Sequence, residues 1–378
     1  MLVAADLHLD NTAAHATPEP DSTYPACNSR AVAGLEALRA VYDRAIAEEH
    51  GAVVLAGDIF HRRGMVPVGV MNGLAKLVTE ASDKGITTYA IPGNHDYVDK
   101  DAKWAEEHLH ALFWLSGRVV IVSEPQVVRI KEPRGSTVAC LIPYKSSQAE
   151  WVAAAKSLVT AAGAIRGSDP LVLFGHQSLD GAKVGPHEYI MREGLNPDDI
   201  PTQFQQAIFG HYHQRQFIKT TTSLNNVLYV GGLLQHNFGE RTYDPGFVEL
   251  EEGKVAFIEN RKSPRFDVLE TADPEAAQAF LDKCAEAGWY GQVRWNGKIS
   301  EGAALAGGAK GHVVSMPSEK GTLRMSLKGT ETPEEMVANF VGHTLATGTK
   351  FENSVPFAEA LTAEGRDILA TAHRSGSV

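Results

Sequence analysis

Short apolar runs recur along the chain, and most of them end in glycine or a charged residue. Leu2 to Ala5 is the first; Ala52 to Ala56, Ile86 to Ile91, Leu171 to Phe174, Ala207 to Phe209 and Val227 to Val230 follow. Continuous apolar runs of this length, bounded by turn residues, predict buried strands. Between them, Arg30 to Glu49 and residues 67–84 carry apolar side chains three and four apart, the spacing of amphipathic helices. Lys103 to Leu115 and an Ala-rich stretch over about 147–163 predict two more helices. Val119 to Val122 reads as a further strand. Val127 to Lys131 and Thr137 to Ile142 predict paired strands around Glu132-Pro133-Arg134-Gly135, and Phe247 to Leu250 with Val255 to Ile258 a hairpin around Glu252-Gly253. Residues 11–28 read as a loop. Alternating strands and helices predict an α/β fold.

The pattern changes near Ser263-Pro264. Beyond it, Arg265 to Leu269 predicts a strand and Pro274 to Ala287 a helix, but no strand delivers a cluster of polar residues at its end. Gly297 to Lys320 is rich in Gly and Ala and weakly periodic, and Thr332 to Thr344 and Phe357 to Ala372 predict helices. The chain therefore divides into a domain over 1–262 and a smaller α+β domain over 263–378. Its 378 residues suit two domains at roughly 100–200 residues each.

Composition narrows the class. Hydrophobic content of 43% and charged content of 21% are those of a soluble globular protein. No apolar run approaches about 18 residues, so no membrane span is expected. The opening Met1-Leu2-Val3-Ala4-Ala5-Asp6 has no basic region and reads as a strand rather than a leader. Cys27, Cys140 and Cys284 are few and widely spaced, which suggests a reducing, cytoplasmic setting without a disulfide framework. The net charge of −11 counts mildly against nucleic acid as a partner. A bound metal cluster or a short basic groove can reverse that locally.

The candidate chemistry lies at the strand ends. Asp6 and His8, Asp58, the trio Asn94-His95-Asp96, His176, and the pair His211 and His213 each follow an apolar run. Strand ends of an α/β sheet share one edge, so these groups are expected to converge. A mixed set of Asp, Asn and His suits two divalent first-row ions such as Mn, Fe or Zn, because imidazole is a poor ligand for Mg or Ca. Two such ions about 3.5–4 Å apart share a bridging carboxylate and activate water against phosphorus. Asp58 is the natural bridge. His95 is placed to protonate the leaving alkoxide, and Asp96 to orient His95. Gly93 is expected to let the backbone turn toward the site.

Asp6-Leu7-His8, Gly57-Asp58, Gly93-Asn94-His95-Asp96, Gly175-His176 and Gly210-His211-Tyr212-His213 resemble, in order, the five motifs of calcineurin-like metallophosphoesterases. That resemblance implies a two-sheet sandwich flanked by helices. Gly57-Asp58-Ile59-Phe60-His61, Gly231-Gly232 and Phe238-Gly239-Glu240 are similar to the SbcD and Mre-eleven-type DNA repair nucleases. Phe238-Gly239-Glu240 with Asp244-Pro245-Gly246-Phe247 looks most like the phage recombination endonuclease subunits of that group. The resemblance covers residues 1 to about 260. It implies one metal held by Asp6, His8, Asp58 and His213, and a second held by Asp58, Asn94, His176 and His211. It implies His95 as the leaving-group acid, His61 as a second active-site histidine, and Mn2+ as the first choice of metal. It also implies DNA as substrate, a Rad-fifty/SbcC-type coiled-coil ATPase or a second copy of the chain as partner, and the cytoplasm of a bacterial or phage-infected cell. Relatives often carry Pro-Gln after the last histidine, whereas this chain has Gln214-Arg215-Gln216.

Three functions compete. A DNA exonuclease and endonuclease is favoured by His61 and the separate C-terminal domain; there Met336, Val337, Phe340 and Val341 read as a face buried in that domain, with a partner-binding face as the alternative. A small-molecule phosphoesterase, acting on cyclic nucleotides or phosphomonoesters, fits the net negative charge. A non-catalytic scaffold that tethers DNA ends would not need the full ligand set. Arg62, Arg63, Lys145, Arg215 and Arg241 stand near motif loops and are candidates for phosphate contacts. The other histidines, His15, His50, His187, His236 and His312 among them, lack the strand-end context and are read as ordinary structural residues.

Overall fold

Strand β1 (Leu2–Ala4) shows how the chain builds its layers. Alternate residues of a strand face opposite sides. Leu2 and Ala4 pack with helices, whereas Met1, Val3 and Ala5 join residues of a second sheet. Strand β2 (Ala52–Ala56) does the same: Val53 and Leu55 face helices, and Ala52, Val54 and Ala56 face the second sheet. Both faces are apolar, which is why these strands read as unbroken hydrophobic runs. The computed structural model describes residues 1–20, 22–98, 118–224, 226–297, 299–302, 304–305 and 310–315. The helices expected over 103–115, 332–344 and 357–372 lie outside those residues, as does the candidate partner-binding face.

The first sheet joins β1 and β2 with β3 (Thr87–Ile91), β4 (Val119–Ile121) and the hairpin β13 (Gly246–Glu251) and β14 (Lys254–Glu259), in the order β14-β13-β1-β2-β3-β4. The second comprises β5 (Gln126–Glu132), β6 (Gly135–Ile142), β7 (Leu171–His176), β10 (Gln206–Gly210), β11 (Gln216–Ile218) and β12 (Val227–Tyr229), in the order β11-β12-β10-β7-β6-β5. Strands β1 to β4 are parallel, as are β6, β7, β10 and β12. The two sheets meet through Val3, Val54 and Ile91 on one side and Ala139, Leu141, Val172, Phe174 and Ile208 on the other. Helices α1 (Ser29–Ala47) and α2 (Val68–Asp83) cover the first sheet, and α3 (Gln148–Gly163) covers the second. The expected helix-flanked sandwich is therefore present.

Local chemistry sets the helix limits. The Asn28 side chain accepts from the amides of Arg30 and Ala31, and Ser147 accepts from Glu150, so both helices start at a polar N-cap. A short hairpin of β8 (Lys183–Val184) and β9 (Tyr189–Ile190) stands between β7 and β10. Strand β15 (Phe266–Thr271), helix α4 (Pro274–Glu286), β16 (Tyr290–Trp295) and β17 (Gly311–Ser315) form a third, parallel sheet with its own core of Ala277, Leu281, Val293 and Trp295. Arg30 links it to α1. Its guanidinium stands 5.1 Å from the Phe266 ring centroid and 5.2 Å from that of Tyr290, while Nη2 donates to the Gln235 carbonyl. Among the described residues, no helix is long and apolar enough to cross a membrane.

Candidate metal centre

The parallel strands of both sheets point their carboxyl ends at one edge of the sandwich. The loops after β1 and β2 run side by side there: the amides of Asp6 and His8 donate to the carbonyls of Gly57 and Asp58 at 3.1 and 2.9 Å. The second sheet is stitched to the first at the same edge. The His211 amide donates to the Asp6 carboxylate at 2.9 Å, and His176 Nδ1 lies 2.9 Å from the Ala56 carbonyl. The backbone is not extended at Asp6 and His8. Asp6, His8, Asp58 and His211 have φ of 51, 44, 51 and 110°, in or near a region that L-residues rarely enter. Such conformations cost about 1–3 kcal/mol each and survive where surrounding bonds enforce them, typically at functional sites.

Two groups of donors result. Asp6, His8 and His213 bring ligand atoms within 4.8 Å of one another, and so do Asp58, His176 and His211. Asp58 faces both groups: Oδ2 lies 3.5 Å from His8 Nε2, and Oδ1 lies 3.3 Å from His176 Nε2. Asn94 Oδ1 completes the second group at 3.1 Å from His176 Nε2 and 3.0 Å from His211 Nδ1. The structure thus brings all seven expected ligands together, with Asp58 between the two groups.

The donor chemistry fits metal ions. His176 gives Nδ1 to the Ala56 carbonyl and His213 gives Nδ1 to Glu240 Oε1 at 2.9 Å, which turns both Nε2 atoms toward the centre. There His8 and His213 set their Nε2 atoms 3.0 Å apart, and His211 Nδ1 lies 3.3 Å from His176 Nε2. Ring nitrogens this close share a proton, or a cation that takes its place. The carboxylates are equally exposed to need: Asp6 has 0% and Asp58 2% of its surface accessible. Burial, opposed by His176 and His213, raises Asp6 to about 6. Burial also pushes Asp58 upward, but the charges of His176, His8 and His95 hold it well below the usual carboxylate range. Burial lowers His176, and Asp58 more than reverses this, to about 9. Glu240 does the same for His213, also to about 9. Metal binding at those nitrogens releases their protons.

His95 and His61 stand beside this centre. The His95 ring is 4.9 Å from that of His8, and the His61 ring stacks on His95 at 5.7 Å and 21°. His61 is exposed, and its Nδ1 lies 3.3 Å from His8 Nδ1. Asp96 has a different task from the one its position suggested. It is fully buried, and its carboxylate accepts from the amides of Ile59, Phe60 and Gly93 at 3.2, 2.9 and 2.8 Å. It clamps the loop after β2 to the loop after β3, whereas the His61 carbonyl, 2.6 Å from His95 Nδ1, orients the His95 ring.

Two participants carry no strand-end signal. Glu240 lies in a short 3-10 turn, Phe238–Glu240, and fixes His213. His236, read as an ordinary histidine, packs 5.2 Å from His8 and 5.0 Å from His213 and meets the Asp6 carbonyl at 3.1 Å. The sequence carries one hint, the motif Phe238-Gly239-Glu240. Most of the arginines near the site are engaged. Arg63 Nε donates to the Asn94 carbonyl at 2.8 Å, Arg215 lies 4.1 Å over the Phe257 ring, and Arg241 Nη1 donates to the Phe238 carbonyl.

A sandwich with two sets of Asp, Asn and His donors around one shared carboxylate has the makings of a metal-dependent phosphoester hydrolase. Residues 1–215 match the model of the calcineurin-like phosphoesterase family, a span that includes every ligand named above. The chain belongs to that family. No curated protein matches it.

Proposed function

We propose that this protein is a DNA phosphodiesterase, an exonuclease and endonuclease subunit acting in recombination and repair with two Mn2+ ions. The observation that carries this reading is His61. Its sequence context is nuclease-like, and it stands at the open side of the centre, stacked on His95, with its carbonyl holding the His95 ring. The bound ions would supply a nucleophilic hydroxide and positive charge for the phosphate oxygens. Asp6, His8, Asp58 and His213 would hold one, and Asp58, Asn94, His176 and His211 the other. As phosphorus gains the new oxygen, the bond to the leaving oxygen breaks. His95, with Nδ1 fixed by the His61 carbonyl, delivers a proton from Nε2 to that oxygen. Exposed His61 contacts the phosphate or the departing strand.

The same reading assigns residues 263–378 to a separate domain that caps the site, selects DNA shape and docks a coiled-coil ATPase or a second copy of the chain. A second reading, a small-molecule phosphoesterase, is supported by the engaged arginines and by the net charge of −11. The test is Mn-dependent cleavage of linear duplex and single-stranded DNA beside hydrolysis of a cyclic nucleotide and of bis(p-nitrophenyl) phosphate. DNA cleavage, alone or with a coiled-coil ATPase, supports the nuclease. Robust hydrolysis of the cyclic nucleotide with DNA left intact would overturn it in favour of the small-molecule enzyme.

A further inference from the structure

Two histidines outside the metal centre meet where the phosphoesterase domain touches the third sheet. His15 Nδ1, in the loop after β1, lies 2.6 Å from His312 Nε2 on β17, and the two rings stand 4.3 Å apart. Both residues are half-buried. Ring nitrogens in such a pair share one proton, which one ring donates and the other accepts. His15 also has φ of 64°, in the left-handed region, a conformation that persists where surrounding contacts enforce it.

The groups around the pair are cationic or aromatic. Arg30 of α1 faces it from over the Phe266 and Tyr290 rings. Lys310, just before β17, brings Nζ to 5.2 Å from the Tyr290 centroid and donates to the Gly288 carbonyl. Phe238, Phe266 and Tyr290 set their rings 5.3, 6.1 and 6.3 Å from that of His15. Burial, then the charges of His312 and Arg30, lower His15 from its usual 6.5, and no carboxylate among the described residues offsets them.

The pair sits on the joint that leads to the metal centre. Phe238 packs edge to face on Phe266 at 4.9 Å, and the Phe266 amide donates to Gln235 Oε1 at 2.8 Å. Gln235 Nε2 donates in turn to the carbonyls of Arg241 and Tyr243 at 3.2 and 2.8 Å. These bonds frame the turn Phe238–Glu240. Its last residue holds His213 and accepts from the His236 amide at 2.8 Å. The third sheet therefore bears on the support of a metal ligand.

We propose that His15 and His312 form a proton-controlled latch that holds the third sheet on the phosphoesterase domain, and that its opening loosens the turn through which Glu240 supports the His213 side of the metal centre. With one shared proton the latch is closed. A second proton, taken from solvent, removes the acceptor of the bond and sets two like charges beside Arg30 and Lys310. The direction follows from the surroundings. A histidine held below its usual value contributes stability above about pH 6.5, and that contribution is lost as pH falls through the lower folded value. The latch does not depend on which phosphoester the centre hydrolyses.

Hydrogen exchange and Mn2+ titration of the full chain, each at about pH 7.5 and 5.5, test this. Without added metal, the wild-type amides of β15 to β17 lose about tenfold in protection between the two pH values, the factor for one unit below the usual histidine value. Those of β2 keep theirs. In His312→Gln the amide oxygen still accepts from a protonated His15, so the third sheet keeps its protection at the lower pH. Protonation of ligating histidines weakens Mn2+ binding in both proteins, but the wild type loses about tenfold more than His312→Gln, within the usual range for coupled sites. His15→Asn, which tolerates the left-handed backbone, gives the same result from the other side of the pair. Equal protection of the wild-type sheet at both pH values overturns the latch, as does an equal loss in the wild type and both variants. An equal loss of Mn2+ affinity in the wild type and His312→Gln overturns its link to the metal centre.

Discussion

The Asp58 carboxylate occupies the space that a side chain on Gly93 would fill. A Cβ at Gly93 would stand 2.2 Å from Asp58 Oδ1 and 2.3 Å from the Asp58 nitrogen. Gly93 is not in the left-handed region, so close approach, and not a sharp turn, requires glycine there. The same packing seats the carboxylate that stands between the two donor groups, because the His95 amide donates to Asp58 Oδ1 at 2.9 Å. Gly93→Ala must therefore move Asp58 or the loop after β3. The expected outcome is loss of bound metal and a fall of about 100-fold or more in phosphodiester hydrolysis, the usual scale for a misplacement near 1 Å. Elemental analysis and a rate on bis(p-nitrophenyl) phosphate check it. Full metal content with wild-type turnover would refute the packing argument.

Asp96 offers a sharper test because two roles can be told apart. Its Oδ2 accepts from Ile59 and Gly93 and its Oδ1 from Phe60. Burial, reinforced by the charge of Asp58, raises it to about 7. Asp96→Asn keeps one oxygen but turns an NH2 group toward a backbone donor. The expected cost is about 1–3 kcal/mol of stability, read as a lower Tm, with weaker metal binding. The pH at which catalysis loses its general acid should stay where it is. A shift in that limb at unchanged Tm would restore Asp96 as the group that orients His95.

Glu240 holds His213, one of the candidate metal ligands. Burial pushes Glu240 upward, but the hydrogen bond from His213, and then its charge, bring it down to about 2, so it stays ionised. Removing a carboxylate that orients a ligating histidine typically weakens metal affinity by about 10–100-fold. Glu240→Gln should do so in a Mn2+ titration, and added metal should recover much of the activity. Unchanged affinity would mean that His213 is held by its other neighbours, His8 and His236.

Which parts of this site were legible in the sequence follows from how each residue is held. Asp6, Asp58, Asn94, His176 and His211 end strands buried on both faces, and an unbroken apolar run before a ligand is visible in a single chain. The division of those strands between two sheets left no such trace: β2 and β7 read alike, and the family resemblance alone supplied the sandwich. The left-handed backbone of Asp6, His8, Asp58 and His211 was hidden because it is enforced by contacts between loops and not by glycine. Glu240 and His236 lie on an irregular segment with no period to place them. Strand β16 is not legible in the sequence although Tyr290, Val293 and Trp295 are buried, because Gly291 and Arg294 break its apolar run.

The edge of the sandwich opposite the metal centre makes a separate pH prediction. His50 is read from sequence as an ordinary residue, yet its Nδ1 lies 2.9 Å from Glu132 Oε2 and its Nε2 2.7 Å from Glu249 Oε1. Glu132 ends β5 of the second sheet and Glu249 lies in β13 of the first, so one imidazolium ties both sheets. The hydrogen bond to Glu132 outweighs burial and raises His50 above its usual 6.5. Burial pushes both glutamates upward, but the bonds from His50 bring them below their usual 4.5. The signs then run in opposite directions. The His50 contribution is fully present below about pH 6.5 and is lost as pH rises through the higher folded value. The carboxylate contribution is present above about pH 4.5 and is lost as pH falls through the lower folded values. Between those limits the cluster is at full strength. His50→Gln should therefore cost about 1–3 kcal/mol near pH 6 and distinctly less at pH 9, measured by urea unfolding at each pH. A difference that stays constant from pH 6 to pH 9 would assign the effect to packing and remove the charge from the account.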